Sequence, residues 1–176
     1  MVYPEHFHFP GKIRLEDGTV REGGEERIGE SWDRGSLILS WRDVLRGGAR
    51  FRDGRNVVLH EFAHQIDAES GPTNGAPAMP TREMTQRWAD VFSREYERHV
   101  EAVDLGARTV IDPYGAEHPA EFFAVVTEAF FEKPKALRRR HPDIYALMKD
   151  YFCQDPAQRF RKREPEAEEE PQEWIN

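Results

Sequence analysis

The chain has 176 residues, 38% of them hydrophobic and 33% charged, which is enough apolar surface for one core in one domain and too much charge for a fibrous or collagen-like protein. No stretch approaches the roughly 18 unbroken apolar residues of a membrane-spanning helix, and no basic stripe interleaved with aromatics marks a nucleic-acid surface. The net charge of −8 belongs to the end of the chain, because from Glu164 onward there are six Glu and no Lys or Arg, leaving 25 basic against 27 acidic side chains over 1–163.

Residues 1 to about 50 are rich in glycine and in alternating patterns. Lys12-Ile13-Arg14-Leu15-Glu16, the turn residues Asp17-Gly18, and Thr19-Val20-Arg21-Glu22 predict a hairpin. Ser36-Leu37-Ile38-Leu39-Ser40-Trp41 predicts a strand buried on at least one face. From Arg55 the pattern turns helical: Asn56 to Glu69 carries apolar residues at 58, 59, 62, 63 and 66, and Gly71-Pro72 stops it. After a loop over 72–80, Thr81 caps a second helix to about Val103, with Met84, Trp88, Val91, Phe92 and Tyr96 on one stripe. His118-Pro119 opens a third helix that ends near Glu132, and Pro142 opens a fourth with Ile144, Leu147, Met148 and Tyr151 on one side. These elements make an α+β domain over 1–155, a small N-terminal antiparallel or mixed sheet followed by a mostly helical region. The Glu- and Pro-rich stretch 156–176 has too little apolar area to offset the entropy of ordering and is expected to be a disordered acidic tail.

The start, Met1-Val2-Tyr3-Pro4, has neither the basic flank nor the apolar run of a secretion signal. The single cysteine, Cys153, can form no internal disulfide and no thiolate pair, so the chain is expected in the cytoplasm and any metal must be held by His and carboxylate. Inside the first helix stands His60-Glu61-Phe62-Ala63-His64. Positions i and i+4 share one helix face, so both imidazoles can reach one ion while Glu61 beside them handles protons. The alternative, two ordinary helix histidines, fits poorly with the apolar flank Val57-Val58-Leu59 and with Phe62, Ala63 and Ile66, because a buried polar stripe needs a partner.

A third ligand can be sought residue by residue. Asp67 and Ser70 stand where one extended zinc-protease motif needs Gly and His. Glu83 falls in the first turn of the second helix, where the helix dipole explains a carboxylate. Asp112, in Asp112-Pro113-Tyr114-Gly115, has the look of a turn residue before proline. The third helix, Ala120-Glu121-Phe122-Phe123-Ala124-Val125-Val126-Thr127-Glu128-Ala129-Phe130-Phe131, is apolar almost all round and therefore buried. Glu121 and Glu128 lie on nearly the same side of it, where each needs a cation or hydrogen-bond donors. Asp67, on the face of His60 and His64, and Glu128 can each orient an imidazole through its second nitrogen. His6, His8, His99, His118 and His141 read as surface or capping residues, His118 as the cap before Pro119.

On Gly29-Glu30-Ser31-Trp32, Asn56 through Asp67, Asp112-Pro113-Tyr114 and Pro119 through Ala124, the chain resembles the Mlc titration factor A zinc peptidases and, more distantly, the catalytic domain of anthrax lethal factor. The likeness runs over about residues 2 to 155. It implies a zincin-like metallopeptidase domain in which His60, His64 and Glu121 ligate one Zn2+ per chain, Glu61 is the general base and Tyr114 is a catalytic tyrosine. It implies aminopeptidase-like cleavage of peptide substrates, or else an antirepressor that sequesters a transcriptional repressor of the Mlc type with zinc only structural. Family members usually carry a further N-terminal segment of several tens of residues, and this chain begins after it. By analogy with zinc peptidases, Leu37 to Trp41 is either an edge strand to which an extended peptide adds or an interior strand.

Overall fold

A computed structural model describes residues 39–159 with their side chains, residue 51 apart, and before them the backbone of short strands between 2 and 40. The strands are β1 (Val2–Tyr3), β2 (Phe7–Phe9), β3 (Lys12–Arg14), β4 (Val20–Glu22), β5 (Glu25–Arg27), β6 (Gly29–Ser31) and β7 (Leu37–Ser40). β3 pairs antiparallel with β4 from Lys12↔Glu22 to Arg14↔Val20, and β2 pairs with β5 in the same register, Phe7↔Arg27 to Phe9↔Glu25. The two ladders share one register, so antiparallel pairing extends beyond the 12–22 stretch that the alternation predicts. The turn residues Asp17-Gly18 lie outside the described residues.

β7 stands between β1, which runs parallel to it, and β6, which runs antiparallel. Its two edges are both taken, so of the two readings for Leu37–Trp41 the structure has the interior strand and not the edge strand. It is also shorter than expected. Ser40, the last residue of the ladder and opposite Tyr3, is also an N-cap, its Oγ accepting from the Asp43 N–H, and Trp41 opens helix α1 (Trp41–Ala49). The pair Gly47-Gly48 makes this stretch read as a break in the sequence, yet Gly47 is buried, and a Cβ there would stand 3.3 Å from Asn56 Cγ.

The remainder is helical: α2 (Val57–Ala68), α3 (Arg82–Asp104), a 3-10 turn (Pro113–Ala116), α4 (Pro119–Glu132), α5 (Pro134–Arg140), α6 (Pro142–Phe152) and α7 (Pro156–Arg159). Asn56 caps α2, accepting from the Val58 and Leu59 N–H groups at 3.1 and 3.2 Å, and Thr81 caps α3, accepting from Met84 at 3.1 Å. The side chain of His118 caps α4, its Nδ1 accepting from Ala120 at 3.2 Å. Proline fills the first turn of the 3-10 turn, α4, α5 and α6, where its missing N–H leaves no bond unmade. The Lys133-Pro134 stop signal is thus also a start signal, which is why α5 has no predicted counterpart.

α4 is the hub. Every residue from Phe122 to Phe130 is buried, with α2, the 3-10 turn, α5 and α6 packed around it. Trp88 of α3 lies against Phe92, Phe123 and Tyr151 with ring centroids 5.3–5.6 Å apart, the spacing of offset and edge-to-face aromatic contacts. α7 occupies the first four residues of the stretch expected as a tail. Ala157 is buried and its N–H donates to the Tyr145 hydroxyl, which itself donates to Asp155 at 2.7 Å, while Lys149 pairs with the same carboxylate. Residues 160–176 lie outside the described residues. No helix among the described residues is long and apolar enough to cross a membrane.

Candidate metal centre

α2 and α4 cross so that the first turn of α4 faces the His60 turn of α2. The Nε2 atoms of His60 and His64 stand 3.2 Å apart, and Glu121 Oε2 lies 3.0 Å from the first and 3.4 Å from the second. Among the described residues these three are the only His, Cys, Asp or Glu group able to converge on one ion. Ligand atoms about 2.0–2.1 Å from one tetrahedral Zn2+ stand about 3.3 Å from each other, so the donors fit such an ion in kind and spacing. Two imidazole nitrogens aimed at one another and at a carboxylate need a cation or a proton between them. Burial disfavours charge on His60, but hydrogen bonds to Glu121 and Glu128 outweigh it and hold its proton up to about 10. Burial likewise raises Glu121, and its bonds to the two imidazoles win, holding it at about 2. In the absence of a metal, a proton supplies the positive charge that these donors require.

The second nitrogen of His60 is also engaged. Its Nδ1 lies 2.8 Å from Glu128 Oε1, and Glu128 Oε2 accepts from the N–H of Asn56, the residue that caps α2. One turn further, Glu132 accepts from the Gly54 N–H at 2.9 Å and from Asn56 Nδ2 at 3.0 Å. Glu121, Glu128 and Glu132 thus form one acidic edge of α4 that meets α2 along its first two turns. The sequence contains Gly54, Asn56 and Glu132 without marking them; an Asx cap ahead of His60 and a Glu four residues after Glu128 are the signals that point to them.

Glu61, which follows His60 in α2, is buried, 7% exposed, and its charge reaches the Tyr114 hydroxyl. Tyr114 reaches the site from the 3-10 turn, half exposed, with its ring centroid 6.0 Å from that of His60. Burial raises the pKa of its hydroxyl, and the charges of Glu121, Glu117 and Glu61 raise it further, so the group stays protonated and able to donate. The structure therefore brings His60, Glu61, His64, Tyr114 and Glu121 into one place.

The other candidates go elsewhere. Glu83 sits exposed in the first turn of α3. Asp112 is a turn residue, accepting from the Tyr114 N–H at 3.0 Å and pairing with Arg55 Nε at 2.9 Å. Asp67 is fully buried and uses Oδ2 to accept from the Gly75 N–H at 2.7 Å, so it holds the loop after α2 rather than an imidazole. That loop needs its glycine: Gly75 has φ +79°, and a Cβ there would lie 2.5 Å from the Pro119 carbonyl oxygen. Of the histidines expected as surface or capping residues, His99 is buried and His141, at the cap position between α5 and α6, is partly buried. His99 is 1% exposed, and His141 pairs with the buried Glu95 at 2.7 Å. A histidine on a helix stripe has no sequence feature that distinguishes these cases.

Comparison with known proteins places this geometry. Residues 1–153 match the model of the glucose-regulated metallo-peptidase M90 family. An uncharacterized protein of Synechocystis sp. is 45% identical over 158 residues, covering 89% of this chain and 57% of its own length. The Mlc titration factor A proteins of Pectobacterium atrosepticum and Yersinia enterocolitica are 33% and 32% identical, covering 92% and 96% of this chain and 61% and 63% of their own. The chain thus spans about three fifths of the length of these relatives. With the match running over nearly all of the described fold, the chain belongs to the glucose-regulated metallo-peptidase M90 family.

Proposed function

We propose that the chain is a zinc-dependent peptidase with a zincin-like catalytic domain over 1–155 and aminopeptidase-like action on small peptides in the cytoplasm. One observation carries the reading: His60, His64 and Glu121, drawn from two helices, set three metal-type donors 3.0–3.4 Å apart with a buried carboxylate, Glu61, beside them. Zn2+ bound by these residues supplies Lewis-acid polarisation of a scissile carbonyl and lowers the pKa of water toward about 7. Glu61 takes the proton from the attacking water and delivers it to the leaving amine. Tyr114, kept protonated by burial and by three nearby carboxylates, donates to the carbonyl oxygen as charge develops there. Glu128 fixes His60 by accepting its Nδ1 hydrogen. With β7 covered on both sides, β6 is the strand beside α2 that lies at the edge of this sheet among the described residues, and an extended peptide adds there.

The name of the Pectobacterium and Yersinia relatives, Mlc titration factor A, favours a second reading, a protein that sequesters a repressor of the Mlc type and uses zinc to hold its fold. Glu61→Gln separates the two. The peptidase reading expects zinc content unchanged and peptide hydrolysis reduced about 10²- to 10⁴-fold. Hydrolysis at the parent rate in the zinc-loaded variant overturns it, and repressor capture that survives Glu61→Gln supports the binding reading.

A further inference from the structure

We infer that Tyr96 and His99 of α3 are positioning residues for Tyr114, fixing the short turn that carries it against the His60, His64 and Glu121 cluster. The inference rests on the proposed role of Tyr114. Four residues of 3-10 helix have little stability of their own; the bonds at the ends of this one include Gly115 N–H to Asp112 O at 3.0 Å and Glu117 N–H to Tyr114 O at 3.2 Å, with Asp112 Oδ1 accepting from the Tyr114 N–H. Its fixity comes from outside. At one end His99 Nε2 lies 3.1 Å from the Asp112 carbonyl oxygen, and at the other the Tyr96 hydroxyl donates to the Ala116 carbonyl at 3.2 Å. Between these points Gly115 is buried against α4, where a Cβ would stand 2.6 Å from Val125 Cγ2 and 3.2 Å from Phe122 Cα. Both α3 rings rest on Phe122, at 5.5 Å for Tyr96 and 5.3 Å for His99. Phe122 follows Glu121 directly, so one contact surface sets the height of the turn and of the metal-site carboxylate together.

The chemistry of His99 argues that its N–H is what the fold retains. Because a carbonyl can only accept, Nε2 carries the hydrogen, and Nδ1 is left buried without a hydrogen-bond partner. An unmade bond of that kind in a core needs an explanation, since a phenylalanine would fill the same space without it. The gain is one donor aimed at the carbonyl that begins the Tyr114 turn. Tyr96 adds a second at its end, and with both the tyrosine is seated from two sides by a helix that contributes nothing else to the site. A displacement of about 1 Å in such a group is enough to cost about 10²-fold in rate.

The test uses His99→Phe, which keeps the ring volume without the donor, His99→Gln, which restores a donor near the place of Nε2, and Tyr96→Phe. The full chain is read by amide exchange without metal, by zinc content, and by kcat and KM for peptide hydrolysis, in the parent and in a Tyr114→Phe background. Expected for His99→Phe and Tyr96→Phe are exchange at Gly115 and Glu117 at least about tenfold faster, unchanged zinc content, and kcat about tenfold lower with KM nearly constant. His99→Gln recovers most of the loss, and in the Tyr114→Phe background neither loss-of-donor variant lowers kcat further. Exchange at the parent rate in both variants overturns the inference, as does a fall in kcat that persists in full without the tyrosine hydroxyl. Should Tyr114→Phe itself leave hydrolysis untouched, the proposed role of Tyr114 falls, and amide exchange still decides whether Tyr96 and His99 hold the turn. If His99→Phe does not fold, Tyr96→Phe carries both readouts.

Discussion

The two ends of α4 present the same side chain to the same neighbour and obtain opposite results. Glu121, in the first turn, faces the ring nitrogens of His60 and His64 and is held at about 2. Glu132, at the last turn, faces the backbone N–H of Gly54 and the side-chain amide of Asn56; burial raises its pKa, and those two hydrogen bonds offset only part of the rise, to which the charges of Asp53 and Glu128 add. A carboxylate buried on an apolar helix is therefore no sign of a metal by itself. The partner decides: N–H groups need an acceptor and are satisfied by one, whereas imidazole nitrogens facing a carboxylate still lack a positive centre. Glu128, between the two, serves both kinds, with one oxygen on His60 and the other on the α2 backbone.

The sharpest way to break this comparison is to neutralise each end. Glu121→Gln is expected to reduce bound zinc, measured by elemental analysis after desalting, from about one per chain to near zero, because a neutral amide is a poor replacement for the anionic ligand. Glu132→Gln is expected to leave it at about one. Zinc lost from both variants, or from neither, removes the distinction between the ends. The next largest effect belongs to Glu128→Gln, which leaves all three donors present but weakens the constraint on His60. Competition with a chromogenic chelator is expected to show zinc affinity about 10- to 100-fold weaker, and an affinity equal to that of the parent would make Glu128 a purely structural acceptor.

Much of this is legible in the residues. The HExxH spacing, the caps Thr81 and His118, and the all-round apolar character of the α4 segment announce the helices and the carboxylates they bury, because each rests on local periodicity or on a short-range hydrogen bond. What escapes is set by contacts remote in sequence. Whether Glu128 meets an arginine or an imidazole depends on how α2 crosses α4, and the pairing of Asp67 with Gly75 rather than with a histidine depends on a loop closure that Trp88 helps to hold through its Nε1–H bond to the Gly75 carbonyl. Pairing partners for β7 are likewise invisible from its own residues, since one of them comes from the first three residues of the chain. α1 is missed for a local reason, its two adjacent glycines.

Asn56 sharpens the comparison from the α2 side, at a smaller scale. Its Oδ1 accepts from Val58 and Leu59, and its Nδ2 donates to Glu132. Asn56→Ser keeps a capping oxygen and gives up the donor, whereas Asn56→Ala gives up both. The alanine variant is expected to be about 1 kcal/mol less stable than the serine variant by denaturant titration, with zinc content equal in the two. An equal stability would show that α2 is anchored by its backbone bonds to Glu128 and needs no side-chain cap.

The smallest expected effect is a slope, and its sign differs at the two ends. In metal-free protein, Glu132 has a pKa raised from the ordinary 4.5, so as pH falls from 7 toward 4.5 the folded chain takes up a proton before the unfolded chain does, and the cost of burying that charge is relieved. The parent should therefore gain stability relative to Glu132→Gln across that window. Glu121, held at about 2, contributes stability that is present above 4.5 and is lost as pH falls from there toward 2. The parent should accordingly lose its advantage over Glu121→Gln as pH falls from 4.5 toward 2. Denaturant midpoints measured against pH with chelator present separate the cases. If both differences change in the same direction over the same interval, the two carboxylates share one environment, and the contrast between the imidazole-facing and amide-facing ends of α4 does not govern their charge.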